Sequence, residues 1–117
     1  MKVKIKICGV LDHNIMSIVS DLNVDYVGLV FFEKSPRNIS IEKAKSIVKY
    51  LNKQTKTVAL TVNATDQFLG NVVTHLSPDY IQLHGKESPY RCFEIKKKFK
   101  TKIIKAISAK SLSLIHI

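Results

Sequence analysis

Tyr26-Val27-Gly28-Leu29-Val30-Phe31-Phe32 is an almost continuous apolar run in the first third of the chain. A run of this length without polar alternation is typical of a parallel strand that is buried on both faces. The run Lys102–Ile107 is also largely apolar, in the last part of the chain. The two runs therefore predict a parallel sheet.

Five β-rich runs lie along the chain, at Val3–Ile7, Tyr26–Phe32, Thr57–Val62, Tyr80–His84 and Lys102–Ile107. Each stretch between them has apolar residues at helical spacing. These stripes are Ile15, Ile18, Val19 and Leu22; Ala44, Ile47, Val48 and Leu51; Leu69, Val72, Val73 and Leu76; and Cys92, Ile95 and Phe99. Suitable helix-starting residues precede three of the stripes, namely Asp12, Ser40 and the pair Ser88-Pro89. Five strands in strict alternation with four helices predict an α/β domain with a parallel sheet.

Two architectures fit this alternation, an open doubly wound sheet and a (β/α)8 barrel. No Gly-x-Gly-x-x-Gly sequence follows the first run, which disfavours a dinucleotide-binding open sheet. A complete barrel needs about 200 residues or more, so a chain of 117 residues supplies roughly half of one. In such a half barrel we expect the first and the fifth strands to be the edges of the sheet.

The chain has a formal net charge of +10, and only two of its 19 cationic residues are arginines, Arg37 and Arg91. Nucleic-acid readers favour arginine for its bidentate geometry, so we do not expect a nucleic-acid partner.

The chain has no apolar run of membrane-spanning length, and its first residues alternate charge and apolar character, unlike a signal peptide. These features predict a cytoplasmic protein without a membrane partner. Cys8 and Cys92 are too far apart in sequence to suggest a zinc site or a disulfide framework, and the helical spacing of Cys92 predicts a core residue.

Polar or reactive residues lie at the carboxyl end of each predicted strand. In parallel α/β folds the functional side chains lie at these carboxyl ends. The groups are Cys8-Gly9, Ser35-Pro36-Arg37, Asn63, Gln82-Leu83-His84-Gly85 and Lys105-Ala106. Gln82 and His84 are two residues apart and face the same side of their strand. If that side is the interior of a barrel, Tyr80 shares it, whereas Ile81 and Leu83 face the helices. Lys105 either faces a substrate anion, or it packs its aliphatic stem against the protein and leaves its ammonium in solvent.

These groups together resemble the phosphoribosylanthranilate isomerase family from Lys4 to about Ile107. The segments that carry the resemblance are Lys6-Ile7-Cys8-Gly9, Gly28-Leu29-Val30-Phe31, Ser35-Pro36-Arg37, Val62-Asn63, Gln82-Leu83-His84-Gly85 and Ile104-Lys105-Ala106-Ile107. The resemblance implies the α/β fold of a parallel (β/α)8 TIM barrel, with residues 1–110 forming about the first half. It also implies the Amadori rearrangement of N-(5-phosphoribosyl)anthranilate in tryptophan biosynthesis, with a small-molecule substrate and no metal or organic cofactor.

The resemblance implies that Cys8 is the general base and that Arg37 contacts the anthranilate carboxylate. It places Asn63, Gln82 and His84 in the lining of the substrate pocket. Each residue type also has an ordinary structural role at such a position. A cysteine is often a small buried hydrophobe, an arginine after a proline is often solvated, and an asparagine often begins a turn.

The family's general acid, an aspartate, and its glycine-rich phosphate loops have no counterpart in these 117 residues. We therefore expect the fragment by itself to be inactive. Residues 111–117 depart from the family pattern and resemble translated sequencing-adapter read-through, which raises the hypothesis of an artefactual tail. The alternative function is a noncatalytic basic α/β module that binds phosphates or RNA. The sequence does not define the oligomeric state.

Overall fold

The computed structural model describes residues 4–106 and 114–116. The strands are β1 (Lys6–Cys8), β2 (Tyr26–Phe31), β3 (Lys56–Thr61), β4 (Tyr80–Leu83), β5 (Lys102–Ala106) and β6 (Leu114–His116). The α-helices are α1 (His13–Asp21), α2 (Ile41–Ile47), α3 (Asp66–Leu76) and α4 (Pro89–Phe99), and a 3-10 turn at Val48–Tyr50 extends α2. The predicted alternation of five strands with four helices is confirmed. The predicted strand ends at Val3 and Ile107 lie outside the described residues.

The sheet is ordered β1-β2-β3-β4-β5-β6, and every neighbouring pair from β1 to β5 is parallel. The side chains of α1 to α4 pack against one face of this sheet in two hydrophobic clusters. A doubly wound sheet instead has helices on both faces and reverses its strand order at a switch point. Sequential parallel strands with helices on one face are the arrangement of a (β/α)8 barrel, so the structure selects the barrel architecture. We call the face without helices the inner face.

The far edge of the sheet differs from the prediction. The expectation that the fifth strand is an edge is wrong, because β6 pairs with β5 in antiparallel register, with Lys105 opposite Ile115. The pairing satisfies backbone groups that an edge strand would leave open. In a (β/α)8 barrel the next strand along this edge would be parallel. β6 therefore occupies the position of a barrel strand without having its direction.

The core lies between the sheet and the helices. Ile81 and Leu83 are fully buried in it, as predicted from their alternation with Gln82 and His84. Cys92 is 1% exposed and packs in the same cluster, which confirms the prediction that it is a core residue. The alternation along each strand therefore separates core residues from those of the inner face.

The predicted stripe of α1 is wrong in phase. Met16 and Val19 are the buried residues of this helix, whereas Ile15, Ile18 and Leu22 are exposed. α1 lies at one flank of the sheet, and α4, at the other flank, exposes Tyr90 and Phe93. In a closed barrel each flanking helix would have a further helix beside it. Among residues 4–106 and 114–116, no further helix covers the outer side of either apolar stripe.

The helix starts agree with the sequence. The side chains of Asp12, Ser40 and Ser88 accept hydrogen bonds from backbone N–H groups in the first turns of α1, α2 and α4, and Pro89 is the first residue of α4. Thr65 caps α3 in the same way and was not foreseen. Among the described residues, the helices are too short and too polar for one to cross a membrane.

Candidate active site

The carboxyl ends of β1 to β4 meet at one rim of the inner face and enclose a pocket of about 440 Å³. Cys8, Arg37 and His84 all line this pocket, although they lie at the carboxyl ends of three different strands. The remaining walls are largely apolar and are made by Val30, Phe32, Ser35, Pro36, Leu60 and Val62. The structure therefore brings together three of the five predicted site residues.

Arg37 is positioned by the tight loop after β2 and by a glycine. The Ser35 side chain accepts a hydrogen bond from the Arg37 N–H at 3.1 Å. The Arg37 side chain lies against Gly9, since a Cβ on Gly9 would stand 2.3 Å from the Arg37 Cδ. Gly9 also has a φ of +81°, which disfavours other residues. The glycine of the Cys8-Gly9 pair therefore holds the turn after β1 and makes room for Arg37.

His84 lies at the end of β4 with its side chain exposed. Its backbone N–H donates to the carbonyl of Thr61 at 2.9 Å, which holds β4 beside β3 at the rim. The imidazole faces the same pocket as Cys8 and Arg37. His84 is therefore placed to contact a ligand in this pocket.

Asn63 and Gln82 lie outside the pocket lining. The Asn63 side chain accepts a hydrogen bond from the Lys86 N–H at 2.8 Å, and its backbone has a φ of +47°. Gln82 is 6% exposed, and its side-chain oxygen accepts a hydrogen bond from the ammonium of Lys6. Both side chains have partners within the protein, so their contact with a substrate stays a prediction.

A carboxylate that the sequence did not single out joins the loops after β3 and β4. Glu87 accepts hydrogen bonds from the N–H groups of Asn63 and Gly85, both at 2.8 Å. It also forms an ion pair with Lys105 at 3.1 Å, with side-chain exposures of 3% for Glu87 and 14% for Lys105. Lys105 lies in β5 in register with Leu83, on the helix-covered side, which disfavours contact with a substrate anion. The expected solvated tip is also wrong, because the Lys105 ammonium pairs with Glu87. A loop glutamate is usually solvated, so no sequence signal marked Glu87.

The surroundings of Glu87 set its ionisation. Burial acts to raise the pKa of the Glu87 carboxyl, but backbone N–H groups, including that of Asn63, and the Lys105 ammonium outweigh it and hold this pKa below the usual range. A carboxyl with a depressed pKa stabilises the fold above its ordinary pKa, and this contribution is lost as the pH falls through the folded-state pKa. The Glu87–Lys105 pair is therefore a pH-dependent connection beneath the pocket rim.

Replacing Glu87 with glutamine is expected to lower the free energy of unfolding by about 2–4 kcal/mol at pH 7, because Lys105 is left without its counter-charge. Urea unfolding of the 117-residue chain measures this change. Glu94→Gln is the matched control, since Glu94 pairs with Arg91 but is 43% exposed and should cost less than about 1 kcal/mol. The difference between wild type and Glu87→Gln should shrink as the pH falls below the ordinary pKa of a glutamate and through the lower pKa of Glu87 in the folded state. An equal cost for both variants would contradict the role given to the buried pair.

The sequential parallel strands, the helices on one face and the pocket at the carboxyl ends define part of a (β/α)8-barrel protein with its ligand site at the barrel's catalytic end. A sequence model of the family described as N-(5'phosphoribosyl)anthranilate (PRA) isomerase matches residues 5–116. The chain belongs to this family.

The relatives agree with this assignment. N-(5'-phosphoribosyl)anthranilate isomerase of Bradyrhizobium diazoefficiens is 40% identical over 107 residues, which are 92% of this chain and 48% of the relative. The enzyme of the same name from Parvibaculum lavamentivorans is 42% identical over 107 residues, 92% of this chain and 50% of the relative. The chain therefore spans about half the length of the curated relatives that it matches.

Solved structures also match this chain over about half of their own length. Phosphoribosyl anthranilate isomerase from Thermotoga maritima has a TM-score of 0.80 and 32% identity, covering 91% of this chain and 51% of the solved one. A phosphoribosyl anthranilate isomerase in complex with reduced 1-(o-carboxyphenylamino)-1-deoxyribulose 5-phosphate has a TM-score of 0.81 and 32% identity, covering 94% of this chain and 57% of the other. The predicted half-barrel fold is thus confirmed by neighbours whose chains are about twice as long.

Proposed function

We propose that this chain supplies the first half of an isomerase that converts N-(5-phosphoribosyl)anthranilate to 1-(2-carboxyphenylamino)-1-deoxyribulose 5-phosphate in the cytoplasm. The observation that carries the proposal is the meeting of Cys8, Arg37 and His84 in one pocket. The solved relative described above binds a carboxyphenylamino sugar phosphate. A ligand of that kind presents an aromatic ring, a carboxylate and a phosphate, and the first two match what this pocket offers.

The chemistry of the pocket fits an aldosylamine that carries a benzoate group. The apolar walls suit the aromatic ring, and the Arg37 guanidinium suits the carboxylate through charge-assisted hydrogen bonds. In the proposed reaction, opening of the furanose ring gives an imine, and Cys8 removes the proton from C2 of the sugar. Arg37 and His84 hold the substrate while Cys8 acts as the base. The acid that opens the ring and the phosphate site belong to the second half of the barrel.

A hybrid barrel tests this proposal. It joins residues 1–106 of this chain to the C-terminal half of the Bradyrhizobium diazoefficiens relative. The junction precedes β6, because β6 pairs antiparallel along the edge where the next barrel strand would add. We expect the purified hybrid to consume the fluorescent substrate with saturable kinetics. A hybrid that is folded and monodisperse by circular dichroism and light scattering, yet inactive, would contradict the proposal.

Arg37→Ala in the hybrid barrel is expected to raise KM, because a charge-assisted contact to the carboxylate is lost. The expected cost is about 1.5–3 kcal/mol of binding, or roughly ten- to hundredfold in KM. Steady-state kinetics with the wild-type hybrid alongside measure the change. Arg91→Ala is the control, since Arg91 pairs with Asp66 and Glu94 away from the pocket and should leave KM unchanged. An unaltered KM for Arg37→Ala would return Arg37 to the role of a solvated loop residue.

The noncatalytic alternative, a basic module for phosphates or RNA, makes a different prediction. It requires binding of the 117-residue chain to heparin that weakens steeply with salt and does not depend on Cys8 or Arg37. The isomerase is favoured if the hybrid barrel binds the carboxyphenylamino sugar phosphate at high salt concentration and the Arg37→Ala hybrid does not.

A further inference from the structure

Lys6 and Cys8 share one small region of the inner face. They are two residues apart in β1 and therefore point to the same side of the sheet. Cys8 pairs with Gly28 in the register of β1 and β2. A Cβ on Gly28 would stand 2.8 Å from the Cys8 Sγ and 3.3 Å from the Lys6 Cε. The missing side chain of Gly28 thus makes space in which the stem of Lys6 and the thiol of Cys8 lie side by side.

The ammonium of Lys6 is held on the inner face by a residue of another strand. Its Nζ donates a hydrogen bond to the side-chain oxygen of Gln82. Gln82 belongs to β4, and β2 and β3 lie between it and β1 in the sheet. Lys6 therefore reaches across the inner face, and the buried Gln82 fixes where its charge lies. A lysine held in this way loses side-chain freedom that a solvated lysine keeps.

The electrostatics of Lys6 connect it to the thiol. Burial lowers the pKa of Lys6, and the negative form of Cys8 acts in the opposite direction and raises it. The two groups therefore interact electrostatically, and a cation beside a thiol is one of the settings that make a cysteine reactive. A thiolate, unlike a thiol, can take a proton from carbon.

Other titratable and charged side chains also face this region. Those on the inner side of β1 to β5 and at the rim are Lys4, Tyr26, Lys56, Tyr80, Lys102, His84 and Arg37. Lys4 lies over the ring of Tyr26 at 6.0 Å, and Lys102 lies over the ring of Tyr80 at 5.6 Å. Arg37 packs its stem on Gly9. Lys6 differs from these cations in two respects. It lies beside the Cys8 thiol next to Gly28, and its ammonium is held by Gln82 of β4.

We propose that Lys6, held by Gln82, is a positioning residue that stabilises the thiolate of Cys8 and so prepares it to act as the general base. The proposal rests on the function given above to Cys8, and it adds the group that keeps this cysteine reactive. It also gives Gln82 a definite task, which is to hold Lys6. Gln82 thus serves the reaction through Lys6 and Cys8.

The test measures the rate at which iodoacetamide alkylates Cys8 in the 117-residue chain at pH 7, followed by peptide mass spectrometry. The buried Cys92 reports folding in the same sample, since it reacts only when the chain opens. The reference is the alkylation rate of Cys8 in each variant unfolded by concentrated urea. This rate should be equal in all the variants. The native wild type should react faster at Cys8 than its urea-denatured form.

Lys6→Met should lower the native rate at Cys8 by about three- to tenfold while Cys92 stays protected. Lys6→Arg, which keeps the charge, should stay within about twofold of the wild-type rate. Lys4→Met is the matched control on the same strand and should leave the rate unchanged. If Lys6→Met exposes Cys92, Lys6→Gln replaces it, because it removes the charge and keeps a donor for Gln82.

An unchanged Cys8 rate in the neutral variants, or equal rates for the native and denatured wild type, would overturn the proposal. The measurement involves no isomerase turnover, so it separates the two claims. A Lys6-dependent thiol in an inactive hybrid barrel would contradict the proposed function alone. An active hybrid with a Lys6-independent thiol would contradict the positioning role alone.

Discussion

Replacing Cys8 with serine in the hybrid barrel is expected to lower kcat by about 10²- to 10⁴-fold, the range that a positioned general base contributes. Serine keeps the size of the side chain, but its hydroxyl is far too weakly acidic to supply an anion at neutral pH. The change should therefore remove the base without altering the pocket. Stopped-flow or steady-state fluorescence measures turnover, and urea unfolding checks that the fold is retained.

Cys92→Ser is the control for this experiment. Cys92 is the second cysteine of the chain and lies on the buried face of α4, in the core. Its replacement can cost stability because it puts a hydroxyl into an apolar cluster, but it should leave kcat near the wild-type value at temperatures where the hybrid is folded. Wild-type turnover by Cys8→Ser would show that Cys8 is structural and that another group is the base.

The 117-residue chain by itself is expected to show no measurable isomerase activity, in contrast to the hybrid barrel. It contains Cys8 and Arg37, but the proposed ring-opening acid and phosphate loops belong to the second half of the barrel. A missing acid costs about 10²- to 10⁴-fold. Loss of the phosphate site also removes remote binding energy that positions the reacting atoms. The two losses together should place turnover below detection.

Turnover assays on the purified chain and on the hybrid, at equal concentrations and with light scattering alongside, measure this difference. Residues 1–106 without the tail are the control, because they lack β6 and its pairing with β5. Both short chains should be inactive. Robust turnover by a monodisperse 117-residue chain would mean that one half of the barrel carries a complete site, and the roles given to the second half would then be wrong.

The sequence predicted the elements and the rim of the site because both depend on local patterns. Strands and helices follow from alternation, helical spacing and caps such as Ser40 and Ser88, which act over a few residues. The positions of Cys8, Arg37 and His84 follow from one general rule, that functional side chains lie at the carboxyl ends of parallel strands. Their meeting in one pocket needed the strand order as well, which periodicity alone leaves open between two architectures.

The relationships that only the tertiary structure decided join residues far apart in the chain. In the part of the chain that the structure describes, no helix lies beside the outer flank of α1. This leaves Ile15 and Ile18 exposed, which their apolar spacing does not encode. Glu87 looks like any loop glutamate until Asn63, Gly85 and Lys105 surround it.

Lys6 and Gln82 are separated by 76 positions and come together through the order of four strands. Local preference therefore determined which elements this chain forms and where its reactive residues stand on them. Burial and hydrogen bonding depend on which strands and helices become neighbours, so the partners of those residues were decided by the packing of the whole sheet.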